Sequence, residues 1–177
     1  MHKFIDLALA AAFASTSAAA LADSKSVAEF ALNTCLAAMD GPPKVEAIAR
    51  QHNWTNVPLE NASGMMSEST WEVMQGEDRL VVSVGAMILT PPLNLCTVLF
   101  PSKNVNRDEF FNLISGSAEL TFIRDRKTSR SLVQTYEIKS GRTNKLMLTI
   151  MSASDGILMD FTIQELPRFA PTPAIPG

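Results

Sequence analysis

The sequence predicts an α+β fold: an antiparallel sheet of about six strands, with two N-terminal helices and one central helix packed on one face. Three observations predict it. Capping and periodicity signals for helices occur at residues 26–39, 43–52 and 106–116. Most of the remaining chain alternates apolar and polar residues with period two, the signature of half-buried strands. The resulting order, α, α, β, β, β, α, β, β, β, has no βαβ alternation and mostly tight connections, so neighbouring strands pair antiparallel.

The first 22 residues form a segment of their own. His2 and Lys3 give a basic start, an Ala/Leu/Phe run follows, and Ala20-Leu21-Ala22 puts small residues where a signal peptidase reads. Residues 1–22 are therefore expected to be a signal peptide cleaved after Ala22, which places the mature chain in the periplasm or outside the cell. A retained membrane anchor is the alternative. No cysteine follows the cleavage point, which disfavours lipid anchoring. Residues 23–166 are expected to form one domain and residues 167–177, with four prolines, an extended tail.

Cleavage removes one base (Lys3) and one acid (Asp6), leaving the net charge at −3. A mildly acidic chain lacks the basic excess that neutralises phosphates, so nucleic acid is not an expected partner. No stretch after residue 22 is long and apolar enough to cross a bilayer as a helix, so the mature chain is not expected to be an integral membrane protein.

The first helix, SVAEFALNTCLAAM, starts at a Ser26–Glu29 capping box and stops at Asp40-Gly41-Pro42-Pro43. At 100° per residue, Ala28, Ala31, Leu32, Cys35, Ala38 and Met39 share one stripe, so the Cys35 thiol faces the core. Pro43 opens a second helix, PKVEAIARQH, which Asn53 closes in the left-handed conformation, and Trp54 folds back on the helix pair. Residues 55–69 read as a loop.

TWEVMQ and RLVVSVGAMIL then form a hairpin around Gly76-Glu77-Asp78, with Leu80, Val82, Val84, Ala86 and Ile88 on one side. LCTVLF, bounded by prolines, reads as a buried strand carrying Cys96. Asn106 caps NRDEFFNLISG, where Phe110, Phe111 and Ile114 are the apolar face and Gly116 the stop. LTFI reads as a short strand before a charged connection, RDRKTSR. Three strands complete the chain: SLVQTYEIK, KLMLTIMSA and ILMDFTIQEL. In the last, Met159, Phe161 and Ile163 form a dry side and Asp160, Thr162 and Gln164 a wet one. The halves share a helix-then-three-strands plan without residue-level identity.

Two cysteines in an exported chain, both at core positions, favour one bridge, Cys35–Cys96, over a metal pair or a reactive thiol. Two buried reduced thiols are the alternative. The spacing Phe30-x4-Cys35, the aromatic Trp54 after the second helix, the strand residue Trp71 and the strand residue Cys96 together resemble a group of small exported proteobacterial α+β proteins that has no assigned activity. Asn53 stands here where that group carries glycine. The resemblance implies export, an α+β fold and the disulfide, and no chemistry.

Candidates for chemistry are few. Export leaves one histidine, His52, which at a helix end reads as a dipole partner or a packing residue. No GxSxG, HExxH, CxxC or P-loop is present, no catalytic residue is assigned and no cofactor is called for. Arg124, Arg126, Lys127 and Arg130 form the one basic cluster, able to dock an acidic protein surface or a lipid headgroup. The thioethers of Met65, Met66, Met147 and Met151 could take Cu(I), although methionine is more often core filling. Phe169 and Ile175 give the tail a recognition strip or a strap over the domain itself. The expected function is a non-enzymatic exported protein that binds a protein or a small ligand. The alternatives are copper handling by methionines and an enzyme whose carboxylates meet only in the fold.

Overall fold

The computed structural model describes residues 23–58, 66–87, 93–101, 105–117, 119–153 and 158–167. The proposed signal peptide, Met65 and residues 168–177 of the tail lie outside them. The elements are α1 (Ser24–Ala38), α2 (Pro42–Gln51), β1 (Thr55–Val57), β2 (Met66–Gln75), β3 (Asp78–Met87), β4 (Leu93–Pro101), α3 (Arg107–Ser117), β5 (Leu120–Lys127), β6 (Ser131–Ile138), β7 (Lys145–Ala153) and β8 (Leu158–Leu166).

The α+β class holds, and the sheet has eight antiparallel strands rather than about six, in the order β1-β2-β3-β4-β8-β7-β6-β5. The two additional strands leave weak sequence signals. β1 is three residues long, two of them exposed, and falls where a loop is expected. β5 runs straight through the charged RDRK segment, and seven of its eight residues are exposed. Pairing with β6, rather than burial, makes it a strand, so its apolar–polar alternation is absent. β2 likewise starts at Met66, four residues before the alternation does.

Each half of the chain is helical first and then a four-stranded meander, and the two meanders join through their last strands. Cys96 on β4 pairs with Ile163 on β8, and Val98 with Phe161. α1 lies across this β4–β8 seam and against α3, while α2 reaches β3. The stripe expected on α1 is buried throughout: Ala28, Ala31, Leu32, Cys35, Ala38 and Met39 are each at most 5% exposed. From α3, Phe110 sits 5.3 Å from Phe100 and 6.1 Å from Phe161, ring centre to ring centre. Each such fully buried aromatic contributes about 1.5–3 kcal/mol by removal from water.

The cap of α1 differs from the expected box. Asp23 is the N-cap, and its carboxylate accepts from the Ser26 amide at 2.7 Å, while Glu29 pairs with Lys25 at 3.9 Å. An aspartate three residues before Ser26 competes successfully for the same amide, and adds a charge favoured at a helix N-terminus. At α3 the cap is as expected, with the Asn106 side chain accepting from the amides of Asp108 (3.0 Å) and Glu109 (3.2 Å). Gly116 does not stop α3, which runs one residue further.

Cys35 and Cys96 form the disulfide, with α-carbons 5.2 Å apart and a sequence separation of 61. It joins the last turn of α1 to a central strand and leaves no free cysteine among the described residues. Closing a loop of that length is worth about 4 kcal/mol in the chain-entropy account.

The second face of the sheet carries a row of hydroxyls in register across six strands: Thr70, Ser83, Thr97, Thr162, Thr149 and Thr135. Thr70 and Ser83 are 2.9 Å apart, and Thr97 and Thr162 2.8 Å. Arg124 continues the row on β5. Such cross-strand hydroxyl pairs stabilise a sheet by roughly 0.2–1 kcal/mol each.

Candidate binding cleft at Trp54

The cleft begins with how α2 ends. His52 and Asn53 donate their amides to Ile48 and Arg50 at 3.0 and 3.3 Å. Asn53 adopts φ 52°, a left-handed geometry that asparagine tolerates better than most residues. The chain turns so sharply that the Trp54 amide reaches back to the Ala49 carbonyl at 2.9 Å. The indole is thereby returned beneath the helix pair, as the sequence leads one to expect.

There it meets two aromatic rings. Phe30 of α1 lies 5.5 Å away at 53°, and Trp71 of β2 lies 6.3 Å away, edge to face at 65°. Trp71 is nearly buried at 5% exposure, whereas Trp54 is half-buried. β1 pairs Asn56 with Trp71, so the Asn56 amide stands beside the Trp71 ring on the helix-bearing face.

Trp54 is a wall common to two hollows. The larger, about 490 Å³, lies between α2, β1 and β2 and adds Glu46, Ala49, Arg50, Asn53, Asn56, Ser69 and Trp71 to its lining. Glu46 and Arg50 pair loosely across its rim at 3.9 Å, both side chains well exposed. The smaller, about 290 Å³, is lined by Phe30, Asn33, Thr34, Ile48, His52, Trp54 and Gln75. The larger volume suits a small ligand. Chemically the pair of hollows offers indole surface bordered by amides, a hydroxyl and an opposed pair of charges, which can both donate and accept.

His52 is the C-cap residue of α2 and is exposed. It stands at the helix end, as expected, and its ring borders the smaller hollow. The basic cluster is divided by the sheet. Arg124 and Arg126 pair with Thr135 and Val133 on the hydroxyl-bearing face, while Lys127 pairs with Leu132 on the other, and Arg130 lies in the turn before β6. A hollow of about 380 Å³ is lined by Arg124, Asp125, Arg126, Val133 and Thr135, two bases and one acid. Met147 and Met151 share one face of β7, four residues or about 14 Å apart, and Met66 is on β2, separated from β7 by three strands. Among the described residues no three His, Cys, Asp or Glu side chains gather as a metal set.

Sequence reasoning singles out Trp54 as a packing residue and does not find the cleft. The available signal is the composition around it, HNWTN, in which an indole is flanked by amides that the core does not need. No helix of the described residues is long and apolar enough to cross a membrane. Comparison of the chain with protein-family models, with curated proteins and with solved structures finds no match.

Proposed function

We propose that the protein is exported, loses residues 1–22, and acts without catalysis by holding a small hydroxyl-rich ligand, of the sugar class, in the cleft at Trp54. The observation that carries this reading is the half-buried indole shared by two hollows and bordered by Asn53, Asn56, Glu46 and Arg50. A sugar ring has an apolar C–H face that packs on an indole and a rim of hydroxyls that pair with amides and charges. The Cys35–Cys96 bridge supports export, because such bonds persist in oxidising compartments. It also fixes α1, and with it Phe30, against the sheet, so that one wall of the cleft is rigid before ligand arrives.

The protein reports on its own site, since its two tryptophans, Trp54 and Trp71, both line the larger hollow. Titration with mono- and oligosaccharides is expected to shift and quench the indole emission saturably. Trp54→Ala is expected to abolish the response and Asn56→Ala to weaken binding about tenfold. A panel that leaves the emission unchanged, or that changes it equally in Asn56→Ala and wild type, contradicts the reading.

The hollow beside Arg124 and Arg126 supports a second reading, in which an acidic partner protein docks on the basic edge. Neutralising Arg124, Arg126, Lys127 and Arg130 together is expected to abolish capture of that partner from a periplasmic extract while leaving the Trp54 titration intact. Capture that survives neutralisation contradicts it.

A further inference from the structure

The helices cover one face of the sheet. On the other, the central strands β3, β4, β8 and β7 present the hydroxyl row flanked by Val81, Leu99, Asp160 and Met151 on one side and by Gly85, Leu95, Gln164 and Met147 on the other. Of these three rows on the four central strands only Asp160 ionises. A face meant for water normally alternates with charge, and this one instead leaves Met74, Met87 and Met151 exposed by 62%, 42% and 39%. Within the three rows Val81, Leu95, Leu99 and Met147 are half-buried and Met151 is exposed, an uncharged strip of the kind found at interaction sites.

The face is also symmetric about the β4–β8 seam. Read outward from the seam, one side runs Thr97, Ser83, Thr70 and the other Thr162, Thr149, Thr135. A second copy turned about an axis parallel to the strands would lay hydroxyl row on hydroxyl row near the seam, and Val81 over the partner's Met151. That is the self-complementarity a two-fold interface requires. The six strands that the axis overlays, β2, β3, β4, β8, β7 and β6, at about 4.8 Å spacing and with three side-chain rows at about 6.8 Å, offer roughly 590 Å², about three quarters of the roughly 800 Å² per partner of stable interfaces, with Glu72 and Glu137 on the outer pair as a charged rim and Arg124 and Arg126 of β5 beyond it.

We propose that this face is the contact between two copies of the chain, packed sheet on sheet as an aligned sandwich. The two Trp54 clefts, on the helix-bearing faces, then lie outward and stay accessible. Inner faces of aligned sandwiches cross at about 30° and pack about 10 Å apart, a separation that Thr, Leu and Met side chains from two layers fill.

Asp160 gives the association a signature. It is flanked by Thr97 and Leu99 of β4, by Thr149 and Met151 of β7 and by its own strand's Thr162, and none of these is charged. Burial already pushes its carboxyl above the ordinary range, against the opposing hydrogen bond from Thr162 at 2.7 Å. A second sheet buries it further, so pairing takes up a proton and tightens as the pH falls.

Sedimentation velocity of the oxidised, exported full-length chain is the test. Wild type at about 100 µM is expected to be dimeric at neutral pH and more tightly so at pH about 5. Leu99→Lys and Met151→Lys, both at half-buried or exposed positions, are expected to weaken association at least about tenfold while the tryptophan emission stays native. Asp160→Asn is expected to tighten it at neutral pH and to remove the pH dependence, a readout that stands even if a lysine variant fails to fold. A monomeric wild type, lysine variants that still pair, or pairing that Asp160→Asn leaves unaltered overturns the proposal. So does a chain ending at Pro167 that pairs when the full-length chain does not, for then residues 168–177 cover the face.

Discussion

Asn94 and Arg142 donate to one and the same carbonyl, that of Met39 at the end of α1, at 3.1 and 2.8 Å. They come from strand β4 and from the turn before β7, 55 and 103 residues away in sequence. The last carbonyls of a helix have no partner within it, and here one is satisfied from both halves of the chain. Arg142 also pairs with Asp40, which pairs with Lys44, and the Asn94 amide donates to the buried Glu165 carboxylate at 3.1 Å. The end of α1 is thus tied to both meanders by polar contacts, and its last turn to β4 by the disulfide.

Removing the arginine should be felt as lost stability. Arg142→Ala deletes the bond to the Met39 carbonyl and leaves Asp40 with Lys44 alone, and it is expected to cost about 1–2 kcal/mol. Urea denaturation of the oxidised protein measures this. A midpoint unchanged from wild type contradicts the role assigned to Arg142.

The acid limb of stability should carry two opposing contributions. The hydrogen bonds from Lys44 and Arg142 hold the Asp40 carboxyl below its ordinary 3.8, and the Ser26 amide does the same for Asp23. A group lowered in the folded state stabilises above its unfolded value and loses that contribution as the pH falls through the folded one, so both weaken the fold below pH 3.8. Asp160 is raised by burial, so its contribution runs the other way, present below 3.8 and lost as the pH rises through the folded value. Denaturation across pH 2–7 is expected to show Asp160→Asn more stable than wild type at neutral pH, with the gap closing in acid. A gap independent of pH contradicts it.

The aromatic layer under α3 should be the costliest place to remove volume. Phe110 is fully buried between Phe100 and Phe161, and Phe110→Ala is expected to cost about 3–5 kcal/mol. Phe122→Ala, on the exposed edge strand with 54% of its surface accessible, is expected to cost under about 1 kcal/mol. Thermal melts of the two variants compare them directly, and similar losses in both contradict this placement of the core.

What was legible in the sequence follows from where each signal originates. The α1 stripe, the Asn53 turn, the Asn106 cap and the dry side of β8 are set by local periodicity or by a side chain bonding its own neighbours, and all are found. The first half of β5, LTFI, is read as a strand, and its second half, RDRK, escapes because its order comes from pairing with β6 and not from burial, so that a charged run looks like a connection. β1 is too short to show a period. The β4–β8 seam depends on contacts between residues 57 to 69 apart in sequence, from Pro101↔Leu158 to Leu95↔Gln164. The Trp54 cleft escapes for a related reason: Trp54 and Trp71 meet only when β1 lies beside β2. The division of Arg124 and Arg126 from Lys127 likewise depends on β5 being a strand at all, since only a strand sends successive side chains to opposite faces.

The covalent tie between α1 and the sheet underlies the rest, because it fixes the Phe30 wall of the cleft and the layer above the β4–β8 seam. Replacing both cysteines by alanine is expected to remove about 4 kcal/mol. The most direct measurement is peptide mapping by mass spectrometry of the protein alkylated without reduction. The account predicts one cross-linked pair of peptides containing Cys35 and Cys96 and no alkylated cysteine. Recovery of both peptides separately, each carrying the alkyl group, would contradict it.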